Sequence, residues 1–326
     1  MRFTTLIALL ALFFVLDLVL GSVMLPINYV FTALMGKNPD VIHSEIILNY
    51  RLPKAIAAIL TGAALSVAGL MMQTLFRNPL AGPDVLGVNA GAGLGVALIT
   101  MISSTFIASI PGGWLQVITA IVGASLVLLL VIVISTHITN SVSLLIIGIM
   151  LGNVAGAIIS VIQSISNPDA IKLFIVWTFG SLSSVTWNYL TIMTPLILMG
   201  LLIALLLYQR LNALLLGENY AKGLGVNVRH TRLLIIISTA LLAGTATAFT
   251  GPIAFIGITV PHIVRGIMRT ADHRILIPAS ILCGASLLLL CDLLAQLPGT
   301  ALTLPINSIC ALFGAPMIVW IIFRKQ

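Results

Sequence analysis

The sequence predicts an all-α polytopic membrane protein, and three observations carry that reading. Of its 326 residues, 60% are hydrophobic and 7% are charged, whereas a soluble domain carries about 25% charged residues. The mean hydropathy is +1.20. The apolar residues fall in long runs, and a run of about 20 crosses the hydrocarbon core as a helix. Lipid offers the backbone no hydrogen bonds, so only helices and closed barrels span it. Barrel strands alternate apolar and polar residues. Segments such as VGASLVLLLVIVI (122–134) do not.

Ten transmembrane helices are expected. The first covers 3–25; its apolar stretch is longer than a signal-peptide core and no A-x-A site follows, so it reads as a retained span. The second, 52–74, opens at Pro53, which costs little in a first turn, and is stopped by Pro79. The third, 85–103, carries Gly87, Gly91 and Gly95 at four-residue spacing, a pattern for close helix packing. The fourth and fifth, 113–135 and 142–165, are joined by HITNSVS (137–143). A polar stretch, 166–186, contains NPDAIKLFIVWTFGSLSS, expected as a short helix at the outer surface. The sixth span is 187–209, followed by a charged segment at about 210–230. The seventh and eighth, 231–249 and 252–268, meet at a tight Thr250-Gly251-Pro252 turn. The last two are 275–297 and 304–323, so residues 1–326 read as a single transmembrane domain.

With the N-terminus in the cytoplasm, eleven of the fifteen Lys and Arg fall in inner loops and Lys37, Arg51, Lys54 and Lys172 fall outside. This positive-inside asymmetry places both termini in the cytoplasm. It also accounts for the net charge of +7 without nucleic acid as a partner.

Catalytic motifs are absent. There is no G-x-x-x-x-G-K-[ST] phosphate loop, no H-E-x-x-H and no G-x-S-x-G with a plausible histidine partner. No catalytic residue, metal site or cofactor is therefore assigned. Cys283, Cys291 and Cys310 lie in apolar runs and read as small buried hydrophobes. Asp272-His273 reads as a helix start at the surface. Asp17 and Asp292 are the charges inside spans, where a functional role is the first suspicion. An interhelical hydrogen bond and ion coupling are both open for them.

Five blocks then carry a resemblance: RLPKAIAAILTGAALSVAGLMMQTLFRNPLAGPDVLGVNAGAGLG (51–95), LLLGENYAKGLGV (214–226), GPIAFIGITVPHIVR (251–265), ADHRILIP (271–278) and LPINSICALFGAPMIVW (304–320). In this order they resemble the permease subunits of type II ABC importers for iron-siderophore complexes, haem and cobalamin. The resemblance implies a homodimer of ten-helix permeases in the bacterial cytoplasmic membrane. Two ATP-binding subunits would bind the cytoplasmic face, and an extracytoplasmic substrate-binding protein would dock outside. The cargo would be a ferric siderophore or haem, with cobalamin the alternative.

The resemblance also assigns roles. Leu215, Leu216, Gly217, Glu218, Ala221, Leu224 and Gly225 match the cytoplasmic coupling-helix segment that meets the ATPase. A solvated loop with positive-inside charges explains Arg229 and Arg232 but not the leucines and glycines. Arg51 and Lys54 match basic residues that dock the binding protein, although snorkelling at the interface would also place them there. Members often have a basic residue where this chain has Gln296, so the docking patch is expected to be built differently. Asn140, Ser141 and Ser143 lie where the family has its cytoplasmic gate; an ordinary helix cap fits them equally. Two other classes compete with the importer: an ion-coupled secondary transporter, which needs an intramembrane charge relay, and an intramembrane enzyme, which needs a catalytic set.

Overall fold

The computed structural model describes residues 2–21, 25–36, 41–102, 113–138, 140–296 and 303–324; Lys37, Thr139 and Lys325 of the segments discussed above lie outside them. All regular structure among the described residues is helical. In chain order the helices are α1 (Arg2–Val19), α2 (Ile27–Leu34), α3 (Val41–Phe76), α4 (Val88–Ile102), α5 (Trp114–His137), α6 (Ser141–Ile165) and α7 (Pro168–Thr178). There follow α8 (Trp187–Leu206), α9 (Tyr208–Leu216), α10 (Glu218–Gly223), α11 (Val228–Thr250), α12 (Ile256–Met268), α13 (His273–Ala295) and α14 (Ile306–Arg324). Seven of them, α1, α3, α5, α6, α8, α11 and α13, are long and apolar enough to cross a membrane. The apolar parts of α4, α12 and α14 are shorter.

Local sequence explains most of the boundaries. Asn140, Asn167, Asn227 and Asp272 cap α6, α7, α11 and α13, each side-chain oxygen accepting a first-turn N–H. Pro168 sits in the first turn of α7, where its missing N–H is not needed. Helix α12 begins four residues later than expected because Gly251 (φ 72°) and Phe255 (φ 68°) hold 251–255 irregular. That backbone finds partners in its neighbours: the Ala254 N–H donates to Asn307 Oδ1 at 3.0 Å, and the Ser181 N–H to the Thr250 carbonyl at 2.8 Å.

Helix α3 departs most from expectation. Residues 41–51 continue it outward through a π-helical turn, Ile46–Arg51, in place of a loop. In this wider register Leu52 N–H reaches the Ile47 carbonyl, and Pro53 then has no N–H for Leu48. The Trp187 indole N–H donates to the Leu48 carbonyl instead, at 2.9 Å.

α3 is also the axis of the fold, mostly buried from Arg51 to Phe76, with α8, α11, α12 and α13 packed around it. The contacts need glycine. A methyl group at Gly62 would overlap the Gly284 carbonyl of α13, and one at Gly69 the Gly257 carbonyl of α12. Such backbone approach gives close van der Waals packing where lipid supplies no hydrophobic drive between helices. A second layer stacks α4 on α5 and α6. Gly91 and Gly95 abut the backbone of Gly123 and Thr119 on α5; Gly87 (φ 72°) is instead the left-handed residue before α4, against Gly148 of α6. Apolar side chains face outward on α5, α6 and α8, Leu126, Val161 and Leu202 among them, as lipid contact requires.

Candidate functional site

Two polar constellations mark opposite ends of the bundle. At the end of α9 and α10, Leu211, Ala213 and Leu214 are buried and anchor α9. Asn212 fastens it further: its Nδ2 donates to Asp272 Oδ1 at 2.7 Å and its Oδ1 accepts from the His273 backbone N–H at 2.8 Å. Expected at the surface, His273 is buried, because its ring lies between Asn212 Oδ1 and Thr74 Oγ1, 2.8 Å from each. Arg77, left-handed at the end of α3, donates to the Leu214 carbonyl at 3.4 Å.

Gly217 then breaks the chain at φ 119°, ψ 149°, a conformation that glycine alone adopts easily. α10 follows with Ala221 buried beneath it and ends before Gly225 at φ 81°. Leu215, Leu216, Tyr220 and Leu224 project outward, with Leu216 and Leu224 each 63% exposed. Beside them runs a groove of about 580 Å³ lined by Gln209, Arg210, Ala213, Val226, Asn227 and His230. An exposed apolar patch on short polar-flanked helices is a surface suited to contact with a protein or with the membrane.

Glu218 turns inward. Its Oε1 accepts from Ser141 Oγ at 2.6 Å and from the Arg232 guanidinium at 3.1 Å. Arg232 also donates to the Ile138 carbonyl at 2.8 Å. The segment matched to coupling is thus bonded to the segment matched to gating. Asn140 Oδ1 accepts from Val142 N–H, so the residue is a helix cap, and Ser143 follows half-buried. The sequence reading explained Arg232 as topology. Ile138, Ser141 and Glu218, which accept from it, all lie outside α11, so no local pattern points to them.

At the opposite end Arg51 and Lys54 are buried, 7% and 5% exposed. Lys54 Nζ lies 2.6 Å from Asp292 Oδ2 and 3.4 Å from Asp17 Oδ1. Gln296 Nε2 donates to the same two oxygens, at 2.8 and 3.1 Å. Arg51 donates to the Leu18 and Val19 carbonyls at 2.7 and 2.8 Å and so closes the C-terminus of α1. The physical reason is the extension of α3, which carries both residues between α1 and α13. Burial of an ion in an apolar medium is tolerated when it is paired and hydrogen-bonded. Among the described residues no group of three His, Cys, Asp or Glu side chains is placed to hold a metal.

Comparison with known proteins agrees with this geometry. Residues 9–324 match the FecCD transport family. The chain is 36% identical to the uncharacterized ABC transporter permease protein YvrB of Bacillus subtilis, covering 97% of this chain and 92% of that one. It is 38% identical to the hemin transport system permease protein HmuU of Yersinia pestis, covering 86% and 84%. It is 35% identical to the vitamin B12 import system permease protein BtuC of Klebsiella pneumoniae, covering 85% and 82%. A solved structure described as a metal-chelate type ABC transporter in an inward-facing conformation superposes with a TM-score of 0.86 at 29% identity, covering 98% of each chain. A family match across almost the whole chain, with full-length relatives above 30% identity, shows that this protein belongs to the FecCD transport family.

Proposed function

We propose that the chain is the membrane-spanning permease of a binding-protein-dependent ABC importer for a bulky metal chelate, a ferric siderophore or haem, with cobalamin the alternative cargo. Its ten apolar helices are all taken as spans of one domain, with both termini in the cytoplasm, and two copies would enclose the channel. Separate ATPase subunits would meet Leu215, Leu216, Gly217, Glu218, Ala221, Leu224 and Gly225. The α5–α6 connection with Asn140, Ser141 and Ser143 would be the gate. Arg51 and Lys54 would serve docking from beneath, by fixing the ends of α1, α3 and α13 on which a binding protein rests.

One observation carries this reading: two short helices outside the spans display Leu215, Leu216, Tyr220 and Leu224 while their other faces are pinned to the bundle. A permease with a separate motor has a use for an apolar patch there. The test is reconstitution with the ATPase and binding protein in liposomes. ATP-dependent accumulation of the iron chelate is expected, and Leu216→Asp should abolish both ATPase co-purification and uptake. The ligand co-purifying with the binding protein decides the cargo.

A second reading has one observation in its favour. The intramembrane charges Asp17 and Asp292 meet at Lys54 and do not stand apart. An ion-coupled transporter would use such a cluster. Uptake driven by a proton gradient in liposomes without ATPase would establish that reading and overturn the importer.

A further inference from the structure

A single guanidinium joins three separate pieces of chain. Arg232 on α11 bonds Glu218 of α10 at 3.1 Å, Ser141 at the start of α6 at 3.3 Å and the Ile138 carbonyl at the end of α5 at 2.8 Å. Ser141 completes the triangle by donating to Glu218 at 2.6 Å. Arg232 is buried, 5% exposed. A planar fork can hold several acceptors at once in fixed geometry, which an ammonium cannot.

α9 and α10 are held by different bodies. α9 is fastened to α3 and α13 through Arg77, Asn212 and Asp272. α10 is fastened through Glu218 to α11 and the α5–α6 connection. Between them Gly217, at φ 119°, interrupts the helix; at the far end Gly225 caps α10, its N–H donating to the Lys222 carbonyl and the Val226 N–H to the Ala221 carbonyl. A force on the exposed Leu224 and Tyr220 therefore acts on a six-residue lever set off from α9 by Gly217. When the lever shifts, Glu218 shifts with it. The buried guanidinium must follow, since losing its carboxylate would strand a charge. Ile138 and Ser141 are bonded to the same group and move too.

We propose that Arg232 is a positioning residue that transmits displacement of α10 to the α5–α6 connection, with Glu218 as its internal handle and not primarily a contact for the motor. The proposal rests on the importer reading for what pushes α10 and for what the α5–α6 connection gates.

The experiment uses the whole transporter, permease with its ATPase subunits, in lipid nanodiscs. Val142, 58% exposed beside Ser141, is replaced by cysteine in every arm and labelled with a membrane-impermeant maleimide. The native Cys283, Cys291 and Cys310 are buried and keep the background low. Labelling rates are compared with and without a non-hydrolysable ATP analogue. With Arg232 present the two rates should differ by about fivefold or more, the lower end of ordinary site-to-site coupling. Arg232→Lys keeps the charge and loses the fork; the analogue-dependent difference should collapse while ATPase subunits still co-purify. Arg232→Gln should behave alike. A full difference in Arg232→Lys overturns the proposal. So does loss of ATPase binding in both variants, which would make Arg232 a purely structural residue. If the parent chain with Val142→Cys shows no difference, the α5–α6 connection does not move with the motor and the proposal falls, while ATP-dependent uptake still decides the importer reading.

Discussion

Replacing Lys54 by methionine removes the ammonium between Asp17 and Asp292 while keeping an unbranched side chain of similar length. At an effective dielectric of about 20, the attraction of Lys54 is about 6 kcal/mol for Asp292 at 2.6 Å and about 5 kcal/mol for Asp17 at 3.4 Å. These gross terms are largely offset by the cost of taking three ions out of water. What remains on removing one partner is the stranded charge, about 3–5 kcal/mol. Gln296 cannot compensate, because its amide already donates to both carboxylates. Lys54→Met should therefore destabilise the protein by about 3–5 kcal/mol. Neutralising the whole cluster is a different perturbation. The triple variant Asp17→Asn, Lys54→Met, Asp292→Asn leaves no buried ion, and exchange of a buried ion pair for neutral groups is often close to neutral, so most of the loss should return. The assay is unfolding in mixed micelles by SDS titration, followed by loss of helical circular dichroism. A Lys54→Met protein within about 1 kcal/mol of the parent, the range of an exposed pair, would refute the reasoning. A triple variant as unstable as the single would refute it too.

Three further outcomes follow from the same structure. Gly69→Ala places a methyl group on the Gly257 carbonyl and should cost about 1–3 kcal/mol or more as α3 and α12 are forced apart; Gly156→Ala, with nothing within 4 Å, should be neutral in the same SDS titration. The Asp272 carboxyl is held below its usual range, first by the Asn212 amide and then by the Arg274 N–H. Its contribution is therefore complete above the unfolded value of about 4 and is lost as pH falls through the lower folded value. Asp272→Asn should flatten the acid side of the stability profile, measured as SDS midpoints between neutral and acid pH. Asn212→Ala removes the partner of both Asp272 and His273, and should raise protease cutting at Gly217 in a limited-proteolysis time course while leaving the rest of the chain protected.

How far the fold was legible depended on what lipid demands of each stretch. Spans such as those of α5, α6 and α8 announce themselves, because a bilayer requires about 20 apolar residues and nothing else satisfies that. Gly251 and Pro252 marked the break before α12, since a glycine of positive φ and a missing N–H both end a helix. The four-residue delay in α12 was not legible. It depends on Asn307 and Ser181 bonding the irregular backbone, and neither lies near in sequence. The outward extension of α3 failed for the same reason. Leu48 and Arg51 read as loop residues because the groups that satisfy them belong to α8 and α1.

The coupling segment and the charge cluster make the general point from opposite sides. In LLLGENYAKGLGV the pattern is local: leucines, a glycine break and a short helix succeed one another within thirteen residues, so a surface patch could be foreseen. Glu218 could not be understood from the same stretch, because its partners come from α6 and α11. Asp17 and Asp292 looked scattered, and an unpartnered charge in a span suggests ion coupling. Adding Lys54 changes that inference. Two carboxylates and one ammonium, bridged by Gln296 and flanked by Arg51, tie α1, α3 and α13 to one another. Committed to three helices in this way, the cluster fastens one end of the bundle. The cluster therefore belongs to the rigid part of the molecule, and the motion that moves cargo has to be sought at the other end, where Gly217 interrupts the chain.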